Sequence, residues 1–185
     1  MSIPTYVLLD NVPPPVTSGG IQSITDVYGE VWVAKPGVYS GAWRKARDVL
    51  HAVIYRAAAW TTAVAATTVA YDTVLRDTYG MFSSNGFLIP VNGWYRIQAT
   101  GNTAVAAAGG YGNCSIYGGP SGATQLSFTN STDAIASGGF ALRTWIETYC
   151  SANDLILNKH IQNVANNGQT GQSNTRMEIS FIGTG

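Results

Sequence analysis

The sequence predicts an all-β protein with a β-sandwich or barrel at its centre and an extended segment at its N-terminus. Several segments alternate apolar and polar residues with a period of two, which is typical of strands with one buried face. Glycine pairs separate these segments, and five of the seven prolines fall within the first 45 residues. The chain has 185 residues, the size of one domain plus an appendage. We therefore expect an N-terminal arm, residues 1–45, and one all-β domain, residues 46–185.

The arm contains two apolar segments joined by a linker that cannot be helical. Three consecutive prolines at positions 13–15 impose an extended backbone. Residues 6–9 precede this linker and residues 27–33 follow it, and both are rich in β-prone apolar side chains. Because such short segments cannot build a core of their own, we expect them to pack on the domain or on a neighbouring subunit.

Within the domain, residues 94–100 give the clearest strand signal. The alternation places Tyr95, Ile97 and Ala99 on one face, which we expect to be buried. The opposite face of the same strand carries Trp94, Arg96 and Gln98.

Further strand candidates continue to the C-terminus. Residues 142–150 and 155–164 flank the turn sequence Ser-Ala-Asn-Asp, and residues 176–181 alternate with a period of two. Residues 42–59 are the one helix candidate, but their Val-Ile-Tyr stretch suits a strand better.

The composition argues against charged partners and for self-association. Ten basic and ten acidic side chains give a net charge of zero, so nothing attracts the chain to nucleic acid or to an anionic membrane. Charged residues make up 11% of the chain, against about 25% in ordinary soluble domains. Permanent interfaces are poor in Lys and Glu, so we expect much of the surface to be covered in an assembly. The N-terminal sequence contains no secretion signal, and no stretch is long enough to span a membrane.

The sequence contains no motif typical of a catalytic, cofactor-binding or metal-binding site. His51 and His160 have no further ligand at metal-binding spacing, and we interpret them as ordinary strand residues. We expect Asp72 and Asp77 to cap turns or to pair with Arg76. Cys114 and Cys150 are predicted to be buried free thiols, with a single disulfide as the alternative. The sequence therefore predicts a non-enzymatic protein.

A family resemblance extends from residue 49 to residue 183. The stretch at residues 86–95 reads Gly-Phe-Leu-Ile-Pro-Val-Asn-Gly-Trp-Tyr. It resembles the Gly-x-Phe-x-x-Pro-x-x-Gly-x-Tyr landmark of the trimeric jelly roll of complement globular heads and tumour necrosis factor-like proteins, with Gly and Phe adjacent. The Asn153-Asp154 turn and the final segment, residues 179–183, resemble the corresponding parts of that family. The resemblance implies an antiparallel jelly-roll β-sandwich.

The resemblance also implies a homotrimer. In the family, the outward face of the strand at residues 94–98 lies on the threefold interface, which would contain Trp94, Arg96 and Gln98. Arg96 would there meet copies of itself, and Glu147 or Glu178 could supply the partner that it needs.

The same jelly roll occurs in the particles of tailed bacteriophages, and the sequence of the arm resembles that of small virion proteins. We therefore consider two functions as hypotheses. The first is a head decoration (cement) protein, made in the host cytoplasm, that binds the major capsid protein on the outer capsid surface. Its anchoring residues would be Tyr6, Val7, Leu8, Leu9 and Trp32. The second is a tail or fibre-tip protein that recognises host polysaccharide through the loops at residues 104–112 and 129–139. These loops are rich in small residues, which favours the first hypothesis.

Overall fold

The structure, a computed structural model, describes residues 20–26, 28–38, 41–62, 65–83, 85–102, 112–131, 141–162, 166–168 and 175–184. The elements of the N-terminal half are β1 (Gln22–Thr25), β2 (Val31–Ala34), β3 (Arg44–Lys45), α1 (Ala46–Val49), β4 (His51–Tyr55), β5 (Trp60–Thr62), β6 (Thr67–Thr68), β7 (Thr73–Asp77), β8 (Phe82–Ser83) and β9 (Gly86–Leu88). Those of the C-terminal half are β10 (Gly93–Asn102), β11 (Gly112–Gly118), β12 (Thr124–Ser131), β13 (Ala141–Cys150), β14 (Leu155–Gln162), β15 (Asn166–Gly168) and β16 (Thr175–Gly183).

Two antiparallel sheets pack face to face. One has five strands in the order β13-β10-β16-β4-β7, and the other has the order β12-β11-β14-β9-β8 with β6 beside β14. Many neighbouring strands are far apart in sequence, as they are in a jelly roll, where connections cross between two sheets. The predicted all-β jelly-roll β-sandwich is confirmed. Residues 1–19, the first part of the predicted arm, lie outside the described residues.

Strand β10 lies between β13 and β16 in the five-stranded sheet, and its alternation gives it one buried face and one solvent face. Tyr95, Ile97 and Ala99 are fully buried and share one apolar core with Ile116 and Ile156 of the other sheet. Each isoleucine buried in this way contributes roughly 2 kcal/mol through the hydrophobic effect.

The landmark stretch before β10 is held by close contacts. The Tyr95 hydroxyl donates to the Val91 carbonyl at 2.8 Å, and its ring packs edge-on against Phe181 at 5.3 Å between centroids. A side chain at Gly93 would overlap the Phe181 ring and approach the Gly183 carbonyl oxygen to 2.7 Å. Glycine is therefore required where β10 and β16 begin to pair.

Strands β1, β2 and β3 form a small sheet, in the order β1-β2-β3, that packs on the sandwich. Val31 and Val33 belong to the same core as the two large sheets, and Val33 is completely buried. Lys35 Nζ donates to the Tyr79 carbonyl at 2.7 Å. These residues thus pack on their own domain, which was one of the two expected arrangements, while the boundary at residue 45 stays a prediction.

The helix candidate at residues 42–59 divides into two elements. Only Ala46–Val49 is helical, and the Val-Ile-Tyr stretch lies in strand β4 as expected. The short helix buries Ala46 and Val49 and turns the chain from the small sheet into the sandwich.

Both aspartates of the β7 region cap backbone groups. Asp72 accepts the N–H groups of Ala57 and Ala58 at 2.7 and 2.8 Å, and Asp77 accepts those of residues 81 and 82. The ion-pair partner of Asp72 is Arg56 at 3.1 Å. The expected turn capping is confirmed, whereas the suggested pairing with Arg76 is wrong because the turn after β4 brings Arg56 next to Asp72.

Candidate interface on the five-stranded sheet

The solvent side of the five-stranded sheet, here called the five-strand face, is built mainly by β10 and β13. Cross-strand partners in an antiparallel pair point to the same side of the sheet. The register therefore groups Trp94 with Tyr149, Arg96 with Glu147, Gln98 with Trp145, and Thr100 with Arg143. The structure thus brings all three predicted interface residues onto one exposed face.

Three large aromatic side chains are exposed on this face. Trp94, Trp145 and Tyr149 have exposed fractions of 42%, 62% and 51%. Trp94 and Tyr149 contact each other edge to face, with ring centroids 6.3 Å apart. An isolated soluble domain rarely exposes a cluster of large apolar side chains without using it for binding.

The charge on Arg96 is balanced within the same subunit. Its Nε and Nη2 atoms donate to Glu147 Oε1 at 2.7 and 2.5 Å. Glu147 is therefore the partner that Arg96 needs. Arg96, Gln98, Arg143, Trp145 and Glu147 together line a shallow groove beside the aromatic cluster.

Glu178, the other suggested partner of Arg96, is engaged elsewhere on the five-strand face. It accepts from Arg176 Nη2 at 2.5 Å and lies 3.0 Å from Nε2 of His51. His51 is thus a half-exposed strand residue, as expected, and it lies beside the Arg176–Glu178 ion pair.

Trp32 is held by its own hairpin. Its indole N–H donates to Asp26 at 3.0 Å, and Lys45 Nζ lies 5.5 Å from the centre of its ring. Burial opposes the ionisation of Asp26, but hydrogen bonds from Trp32 and from the N–H groups of Glu30 and Tyr28 outweigh it and lower the carboxyl pKa. Trp32 therefore closes the hairpin between β1 and β2, and its contact with a capsid stays a prediction.

The other predicted anchoring residues belong to the N-terminal segment. Tyr6, Val7, Leu8 and Leu9 lie outside the described residues, as do residues 104–111 and 132–139 of the two loops considered for polysaccharide recognition.

The sequence reasoning did not single out Trp145, Tyr149 and Arg143. The signal was available, because residues 142–150 alternate with the same period as β10 and place their odd-numbered residues on one side. Grouping them with Trp94 and Arg96 required the register between β10 and β13.

No catalytic or metal centre stands out in the described part of the chain. It contains no group of three or more His, Cys, Asp or Glu side chains that could hold a metal ion.

Cys114 and Cys150 are buried free thiols, as expected, and burial raises the pKa of each to about 12. No helix among the described residues has the length and apolar character that a membrane crossing requires.

His160 is fully buried between the sheets. Its Nε2 lies 3.5 Å from Asn158 Nδ2, its ring contacts the edge of Trp60, and its Nδ1 has no partner among the described residues. Burial lowers the pKa of this imidazole to about 4. The side chain is therefore a neutral core residue, packed so closely under Gly101 that a side chain there would overlap it.

Comparison with known proteins identifies the fold but no family. No known protein-family model matches the sequence, and no curated protein does so. Eiger TNF from S. frugiperda aligns with a TM-score of 0.58 and 6% identity, over 74% of this chain and 94% of that protein. The globular domain of zebrafish complement 1qA aligns with a TM-score of 0.55 and 10% identity, over 73% and 98%. Murine APRIL aligns with a TM-score of 0.55 and 14% identity, over 71% and 99%.

These likenesses confirm the predicted tumour necrosis factor-like and complement-like jelly roll. None of the three proteins is named as an enzyme. At such low identity the likeness shows the fold alone.

Proposed function

We propose that the protein is a non-enzymatic structural component of a tailed-bacteriophage particle. In this proposal it forms a homotrimer that decorates the head and binds the major capsid protein through its N-terminal arm. If the trimer binds the assembled shell more tightly than the separated capsid proteins, its binding shifts the assembly equilibrium towards the shell and so stabilises it.

The main support for a trimer is the cluster of exposed aromatic side chains on the five-strand face. Trp94, Trp145 and Tyr149 stand on rigid neighbouring strands, and aromatic residues are enriched at the centres of permanent interfaces. Burying them against a second subunit removes apolar surface that the monomer leaves in water. The low charge content of the whole chain supports the same conclusion.

The Arg96–Glu147 pair makes this face compatible with threefold symmetry. Three arginines gathered near an axis repel one another, but each copy here brings its own carboxylate in a double hydrogen bond. A buried charge is tolerated when it is paired in this way.

The small sheet supports a role for the arm. Residues 20–38 are fixed to the sandwich by Val33 in the core and by the Lys35 contact with the Tyr79 carbonyl. The segment ahead of them, residues 1–19, carries the apolar run Tyr6-Val7-Leu8-Leu9 and the three prolines. An extended apolar segment can add a strand to a partner sheet and bury alternate side chains there.

The location is tested by immunogold labelling of purified particles with antibody against the domain. The proposal predicts label spread over the head. Label confined to the tail end would instead favour host recognition, and absence of label from particles would contradict a virion role altogether.

A further inference from the structure

The solvent side of the six-stranded sheet, here called the six-strand face, presents three rows of side chains. Cys114 and Ile116 of β11 are completely buried, so the alternate residues of that strand lie on the outer side of the sheet, where Asn113 and Tyr117 are partly exposed and Ser115 is covered. The pairing of β11 with β12 and β14 then defines each row. The rows are Asn130, Asn113 and Ile161; Phe128, Ser115 and Lys159; and Gln125, Tyr117 and Leu157. Ser115 and Leu157 are buried within their rows.

The six-strand face differs in charge from the five-strand face. Among the described strands of its sheet, Lys159 is the one ionised side chain, since His160 is buried and neutral. Lys159 Nζ lies over the Tyr117 ring at 4.1 Å from its centre. The five-strand face, in contrast, carries Arg96 and Glu147 among several charged residues. Apart from Lys159, the described strands of the six-strand face therefore offer neutral groups to a ligand.

Its amide groups are held in fixed orientations. Ser115 Oγ donates to Asn113 Oδ1, and Asn113 Nδ2 donates to Asn130 Oδ1 at 2.6 Å. The Tyr117 hydroxyl donates to Gln125 Oε1 at 3.3 Å. Because the oxygens of Asn130 and Gln125 already accept a hydrogen bond, their amide N–H groups remain as donors at the surface.

Phe128 lies in the middle row, between the row of Asn130 and the row of Gln125. It is 55% exposed although it stands within strand β12. An exposed aromatic ring flanked by oriented amides matches the surface of a neutral sugar. The C–H groups on one side of a hexose ring stack on an aromatic face, while its hydroxyls accept and donate hydrogen bonds at the rim.

We propose that the six-strand face binds a neutral hexose polysaccharide, with Phe128 as the stacking platform and Asn130 and Gln125 as hydroxyl partners. The three rows follow one another along β11 and β12, so an extended sugar chain can lie across them. This inference does not rest on the trimer or on the location in a particle, because it uses a surface that the proposed interface leaves open.

The test is surface plasmon resonance of the full chain over immobilised dextran, mannan and galactan, with alginate as the acidic control polymer. The expected result is binding to at least one neutral polymer and no binding to alginate. Phe128→Ala should weaken the binding at least tenfold, and Asn130→Ala should weaken it about threefold. Tyr28→Ala removes another aromatic, 78% exposed and outside this face, and should leave the binding unchanged.

Three outcomes would overturn the proposal: no binding to any of the neutral polymers, binding that survives Phe128→Ala, or equal binding to alginate. Native mass and circular dichroism of each variant, measured beside the wild-type chain, separate a lost contact from a lost fold. The oligomeric state reported by the same mass measurement tests the trimer independently.

Discussion

Arg96 of β10 and Glu147 of β13 face each other at one register position of the five-strand face, joined by two hydrogen bonds of 2.7 and 2.5 Å. The residues are 51 positions apart in sequence. The pair stands beside the exposed aromatic cluster, so the same surface offers apolar area for association and a charge that is already balanced.

Removing one member of this pair should harm the proposed trimer more than the subunit. In the free subunit both side chains are exposed, so Glu147→Ala should cost at most about 1 kcal/mol of folding stability. In the trimer it leaves three buried arginines unpaired, at a cost of about 2–5 kcal/mol per broken pair. Sedimentation equilibrium should therefore show weaker association for Glu147→Ala.

The double variant Arg96→Ala/Glu147→Ala provides the control, because it removes both charges together. It should associate more tightly than Glu147→Ala alone. If both variants associate like the wild-type chain, the pair does not lie in an interface.

Deletion of the arm up to residue 19 should abolish particle binding without affecting folding. Residues 20–45 contribute Val31 and Val33 to the core, so a longer deletion would damage the fold itself. Deletion of residues 2–19 should leave the unfolding temperature within a few degrees of the wild-type value and abolish incorporation into particles. Incorporation at the wild-type level would show that the arm does not anchor the protein.

Gly101→Ala should be severely destabilising. A Cβ at this position would overlap the His160 ring, which is packed between the sheets and cannot move aside. Overpacking of this kind typically costs about 1–3 kcal/mol. Gly183→Ala is the matched control, since a Cβ there meets nothing within 4 Å. Urea unfolding of both variants measures the difference, and equal midpoints would contradict the close packing.

Acid should destabilise the fold through His160. Its pKa is about 4 in the folded chain and about 6.5 when unfolded, so between these values the unfolded state binds more protons. The free energy of unfolding should thus be undiminished above pH 6.5 and fall by roughly 3 kcal/mol as the pH drops to 4. Below pH 4 this histidine contributes no further loss.

His160→Asn should flatten the fall in stability between pH 6.5 and pH 4, as measured by urea unfolding at several pH values. An unchanged slope in His160→Asn would mean that another group causes the acid sensitivity.

The local pattern of the sequence predicts strands and buried faces well, because alternation is a property of neighbouring residues. Tyr95, Ile97 and Ala99 are buried and Trp94 and Arg96 are exposed, as their spacing predicts. The same pattern could have revealed Trp145 and Tyr149.

Pairing between distant segments could not be predicted in this way. Sequence reasoning left Glu147 and Glu178 as equal partners for Arg96, since the choice depends on the register of β10 against two different neighbours. It gave turn capping or a pair with Arg76 as the alternatives for Asp72 and Asp77, and did not name Arg56, which the turn after β4 brings next to Asp72. The sequence predicted that Trp32 contacts a partner surface. It did not reveal the hydrogen bond from Trp32 to Asp26, because that bond depends on the geometry of the hairpin.

Native mass spectrometry of the wild-type chain and of Trp94→Asp tests the central claim most directly. The account predicts a wild-type assembly of three 19.6 kDa subunits and a monomeric Trp94→Asp variant, since a carboxylate in place of the indole cannot be buried unpaired. Tyr28→Asp, at an exposed aromatic outside the face, should remain trimeric. A monomeric wild-type chain, or a trimer that Trp94→Asp leaves intact, would contradict the assignment of the five-strand face as the subunit interface.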